Sequence, residues 1–118
     1  APARDAGPGG EMMMSLYRAG TRVVAGTDTP NAATLHGELL TYVLAGMTPA
    51  QALATATLEP ASVLGIEAGE IAAGRLADLA IVDGNPLDDI TATSRVRVTI
   101  ANGRVYTREA LVPRAPQP

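Results

Sequence analysis

Apolar positions recur at helical spacing through the first half of the chain and alternate in its last third. In EMMMSLYRAG, residues 11–20, Met13, Leu16 and Tyr17 share one face of a short helix that Gly20 closes. TRVVAGT is β-branched and apolar over one strand's length, which predicts a strand at 22–26 centred on Val23 and Val24. DTPN turns the chain. NAATLHGELLTYVLAG then puts Leu35, Leu39 and Val43 on one helical stripe, with Leu40 and Leu44 beside it and Gly46 as its stop. A helix restarts at once: Thr48 is the N-cap, Pro49 takes the first helical position, and Gln51 completes a capping box. LEPASVLG repeats that grammar, with Pro60 near its start and Gly65 past its end.

After Gly65 the texture changes. A glycine-rich stretch leads to Leu79, Ala80, Ile81 and Val82, a short apolar strand, and DGNP turns the chain sharply. VRVTIANGRVYT reads as two alternating strands joined at Asn102-Gly103, a strong short-range hairpin signal. The order helix, strand, helix, helix, helix, then β structure makes an α/β chain with a boundary near Ile66. Residues 1–10, rich in Ala, Gly and Pro, read as a flexible tail, and the proline-rich residues 113–118 as another.

Composition narrows the function classes. The 118 residues suffice for one modest core, built without Phe or Trp. A net charge of −3 leaves no basic footprint for nucleic acid. The absence of cysteine excludes disulfides and thiolate metal sites. No apolar run approaches the roughly 20 residues of a membrane span, and the first residues lack a signal-peptide pattern. A soluble, cytoplasmic protein is the expectation.

Helix, strand, helix is one slice of a parallel α/β layer, where functional groups gather at the carboxyl ends of strands. Asp28 stands at such an end, after Gly26 and Thr27, as a metal ligand or general base. The same aspartate could instead cap the DTPN turn through its side chain. His36, the only histidine, is either a substrate contact or an ordinary helix histidine. A catalytic zinc takes about three protein ligands; one histidine and no cysteine do not make a self-contained site. Asp83, Asp88 and Asp89 read as solvated turn residues.

The residues also carry a resemblance. AGTRVVAGTD, HGELLTYVLAGMTPAQALATATLEPASVLGI and GEIAAGRLADLAIVDGNPLDDI, closed by an NG hairpin, together resemble the C-terminal part of the amidohydrolase superfamily. The nearest subgroup is the imidazolonepropionase-like and Xaa-Pro dipeptidase-like metal-dependent hydrolases. The likeness covers about residues 11–106, with five independent pieces in the family's order. It implies that residues 11–65 are the helix–strand–helix end of a (β/α)8 TIM barrel with the helices that follow it. Residues 66–112 would be the C-terminal strands of a composite β-sandwich. By the same resemblance Asp28 matches the aspartate ending the eighth barrel strand, which binds or neighbours the metal. There it passes a proton from metal-bound water to the leaving nitrogen. Thr27 and His36 match positions next to substrate. Arg75 stands where the family usually has lysine.

The family's His-x-His pair, its bridging lysine or glutamate and its two later histidines have no counterpart here. Two readings follow. In one, the chain is part of an enzyme that hydrolyses C–N bonds of a small molecule, with a divalent metal, zinc first, in the intact enzyme. This chain alone would then be inactive and bind no metal. In the other it is a non-catalytic oligomeric module. Either way a second copy or a complementing chain is the expected partner.

Overall fold

A computed structural model of the chain describes residues 6–112. Four helices come first: α1 (Gly7–Arg18), α2 (Thr34–Ala45), α3 (Pro49–Thr55) and α4 (Leu58–Leu64). They are followed by β1 (Leu79–Val82), a 3-10 helix at Ile90–Ser94, β2 (Val96–Ala101), β3 (Arg104–Thr107) and the short α5 (Arg108–Leu111). Among the described residues no helix is long and apolar enough to cross a membrane.

The helix expected from Glu11 begins earlier, at Gly7. Pro8 falls in its first turn, where a missing N–H costs nothing. Gly7–Gly10, read as tail from composition, are therefore helical; residues 1–5 and 113–118 lie outside the described residues. The buried face of α1 also differs from the expected one. Met14 is buried, with Met13 and Tyr17 packed beside it, while Leu16 is half exposed to solvent.

Met14, Leu39, Tyr42, Met47, Ala52 and Ile90 form one core, so α1, α2, α3 and the 3-10 helix converge on it. Val23, Ala25 and Val43 pack against it, as the apolar stripes imply. Leu35 instead faces a groove between the helices and the sheet. The α3 capping box is complete. The Thr48 hydroxyl accepts from the Gln51 amide at 3.2 Å, and the Gln51 side chain accepts from the Thr48 amide at 2.9 Å. Gly65 closes α4 with φ +69°, the left-handed conformation expected after a helix end.

The strand expected at 22–26 is not formed; these residues are in neither helix nor strand. A strand needs a paired neighbour, and the segment has one tether of that kind, Ala25 N–H to Thr55 O at 2.9 Å. The sheet lies in the second half, antiparallel in the order β1-β2-β3. Its hairpin turns on Asn102 (φ +49°) and Gly103 (φ +78°), both left-handed as a type I′ turn demands. Asp78, just before β1, fixes this turn by accepting from the Asn102 amide at 2.7 Å, while Gly103 N–H reaches Ala77 O. The LAD and NG pieces of the sequence, 24 residues apart, thus form one unit.

Candidate functional site

The loop carrying Thr27 and Asp28 runs from the core to the start of α2, and its own hydroxyls and amides shape it. Asn31 accepts from the Ala33 amide at 3.0 Å through its side chain. Its carbonyl accepts from the Thr34 hydroxyl at 2.7 Å, and the Thr34 and Thr29 hydroxyls lie 2.9 Å apart. The turn-capping role open to Asp28 therefore belongs to Asn31. Spacing alone did not separate the two, because DTPN offers an Asx side chain at each end.

Asp28 is exposed, with left-handed backbone at φ +53°. Its carboxylate makes no hydrogen bond and no ion pair among the described residues. Aspartate tolerates this conformation better than most residues, yet it is uncommon outside glycine and concentrates at functional positions. Thr27 beside it is half-buried, its hydroxyl 3.4 Å from both the amide and the carbonyl of Thr29.

Tyr42, on the buried face of α2, has an electrostatic link to the loop that sequence reasoning missed. It lies one turn along from Leu39 on the buried face of α2, which the apolar stripe suggests, but nothing in the spacing shows what its hydroxyl meets. Burial, then the Glu38 carboxylate beside it, pushes its pKa up to about 12, and the Gly26 backbone amide pulls in the opposite direction. Gly26 is two residues from Asp28, so the core reaches the loop through this phenol.

His36 is held elsewhere. Its Nδ1 lies 3.0 Å from the Thr93 hydroxyl, and that hydroxyl donates to Ile90 O at 3.0 Å. With its proton on Ile90, the Thr93 oxygen accepts, which places the imidazole proton on Nδ1. His36 thus ties α2 to the 3-10 helix, and it lines two cavities that Asp28 does not line. Asp83 pairs with Arg97 at 3.0 Å, and Asp89 accepts from the Thr91 amide and hydroxyl. Those bonds hold the Asp89 carboxyl below the usual carboxylate range. Asp83, Asp88 and Asp89 are exposed turn groups, as read from the sequence. Among the described residues no three His, Cys, Asp or Glu side chains converge to hold a metal ion.

Residues 6–106 match the amidohydrolase family. The chain belongs to that family. Among solved structures, this amidohydrolase chain is similar to a Xaa-Pro dipeptidase with methionine bound in its active site. The identity is 34% with a TM-score of 0.78, over 83% of this chain and 25% of that one. A candidate prolidase from Bifidobacterium longum is 37% identical with a TM-score of 0.71, over 80% of this chain and 25% of that one. A prolidase complexed with N-methylphosphonate-L-proline is 28% identical with a TM-score of 0.65, over 86% and 26%. The amidohydrolase chain therefore spans about a quarter of the length of the solved structures it matches. No curated protein matches it. The family is generally metal-dependent and acts on small molecules.

Proposed function

We propose that this chain is the C-terminal part of a metal-dependent amidohydrolase that hydrolyses C–N bonds. Its substrates are small amides, cyclic amides or amidines, Xaa-Pro dipeptides among them. The observation that carries this reading is the family match over residues 6–106, together with 34% identity to a Xaa-Pro dipeptidase of which the match covers 25%. Residues 11–65 are then the end of a TIM barrel and residues 66–112 the C-terminal strands of a composite β-sandwich.

In this reading Asp28 is the acid–base group and the chain's one contribution to the metal site. Support comes from its carboxylate, which is exposed, uncommitted and on left-handed backbone. The described residues do not fit a complete metal site. Zinc, the metal favoured for the intact enzyme, would need ligands from outside this chain. What these residues do themselves is hold a proton acceptor in place: Asn31 shapes the turn and Thr27 sits half-buried beside it. Thr27 and His36 are assigned to the substrate side. The His36 assignment requires its ring to reach substrate from its bond to Thr93.

The test joins this chain to the missing part of an amidohydrolase barrel and measures proline release from Xaa-Pro dipeptides with zinc and with manganese. Asp28→Asn should lower kcat by about 10²- to 10⁴-fold, the range for a general acid–base group. Full activity in Asp28→Asn would remove Asp28 from the chemistry. A joined protein that folds, binds metal and cleaves no C–N bond would favour the non-catalytic module.

A further inference from the structure

Beside α2 and the sheet, a cavity of about 360 Å3 is lined by His36, Ser94, Arg97, Thr99 and Arg108, with Leu111 and Val112 as its apolar floor. No carboxylate lines it. In a chain of net charge −3, two arginines and the only histidine thus share one concave site. Arg97 and Thr99 are two apart on β2, so both side chains project from the same face of the sheet. Arg108 opens α5, which packs beside β2 and β3 and brings a second guanidinium to the same mouth.

The donors are largely uncommitted. Arg108 makes no ion pair among the described residues. Arg97 touches Asp83 through one nitrogen at 3.0 Å, an exposed pair of small worth, and a guanidinium carries five N–H donors. Ser94 donates to Thr91 O at 2.7 Å, which leaves Thr99 as the hydroxyl with a free proton. Guanidinium forks match planar carboxylate and tetrahedral phosphate oxygens, and neighbouring apolar floor suits a compact hydrocarbon body.

We propose that this cavity binds a small organic oxyanion, its carboxylate or phosphate held between Arg97 and Arg108 and its apolar body resting on Leu111 and Val112. The proposal uses none of the residues of the Asp28 loop, and although His36 lines the cavity, the contacts it rests on are those of Arg97 and Arg108.

The test is an amide-shift titration of the isotope-labelled 118-residue chain with phenyl phosphate, with benzoate and with neutral benzyl alcohol. Both anions should move the amides of Arg97, Thr99 and Arg108 to saturation, and the tighter of the two identifies the headgroup. Arg108→Gln, an exposed change outside the core, should weaken binding about tenfold, the loss of one charge-assisted contact. Arg97→Gln should do the same. Benzyl alcohol should bind at least about tenfold more weakly, since it has no charge to pair. Equal binding of benzyl alcohol, an unchanged affinity in both variants, or shifts that spread evenly over the surface without saturating would each overturn the proposal.

Discussion

Alkaline titration tests a buried phenol, Tyr42, whose ionisation the fold opposes. Tyr42 is 7% exposed within the core of Met14, Leu39 and Met47. Burial, reinforced by the Glu38 carboxylate, pushes its pKa up to about 12, against about 10 for an unfolded tyrosine. The sign follows from proton counting. Below about pH 10 both states hold the proton, and the stabilisation is fully present. Between about 10 and 12 the unfolded chain has released its proton and the native chain has not, so stability falls with rising pH. At about 1.4 kcal/mol per unit of displacement, the two-unit interval removes about 2–3 kcal/mol. That is a large share of a small domain's total of about 5–15 kcal/mol. Urea unfolding of the native sequence and of Tyr42→Phe at about pH 9 and about pH 12 reads this directly. The native sequence should lose about 2–3 kcal/mol more than the variant over that range. Parallel losses in the two proteins would refute the reasoning, because the phenol would then ionise as easily folded as unfolded. The result also bears on Asp28, since the same hydroxyl meets the Gly26 amide at the root of its loop.

Three further outcomes are expected. Thr48→Ala removes the acceptor of the Gln51 amide and should cost about 1 kcal/mol in urea unfolding. Gly69→Ala should cost about 3 kcal/mol or more, because a Cβ there would lie 2.4 Å from Thr57 O at φ +86°. Gly74→Ala, at φ +85° but facing open space, should cost only about 1 kcal/mol, and equal losses in the two would rule out the clash. Light scattering at low micromolar concentration should find the isolated chain associated; a monomer that unfolds cooperatively would show that it covers its own core.

Legibility in the sequence followed the range of the interactions. Thr48–Gln51, Gly65 and Asn102-Gly103 are local devices, decided within a few residues, and each forms where the pattern placed it. Val23 and Val24 carried a strand signal as clear as that of Leu79–Val82. Only the latter became a strand, because β2 lies alongside to pair with it. Strand identity is a property of two segments, and a single-chain pattern reads one. The same limit applied to the site. Asp28 stood out by type and place, whereas the bond from His36 to Thr93 spans 57 residues and the service of Tyr42 to Gly26 crosses from helix to loop. Neither has a local signature. On α1 the stripe of Met13, Leu16 and Tyr17 packs through Met13 and Tyr17, with Met14 rather than Leu16 buried between them, because three consecutive methionines leave the phase of the stripe ambiguous.

The surface of the chain shows what its pattern was built to meet. Part of it is frankly apolar: Leu64 is 72% exposed and Val63 57%, and Ile71, 90% exposed, lines the groove between helices and sheet with Leu35, Leu53 and Leu79. Scattered apolar residues are normal on any surface, but a lined groove flanked by them is not. Covering even a hundred or so Å2 of it stabilises by about 3 kcal/mol, comparable with the Tyr42 contribution. Under the proposed reading, the unpaired 22–26 segment, the open groove and the incomplete set of metal ligands among the described residues share one physical cause, each being half of a contact with the rest of a barrel. An occupant that is the rest of a barrel would mend all three together. A second copy of this chain would cover the groove and leave the metal site as incomplete as before, so metal binding by an assembled complex separates the two.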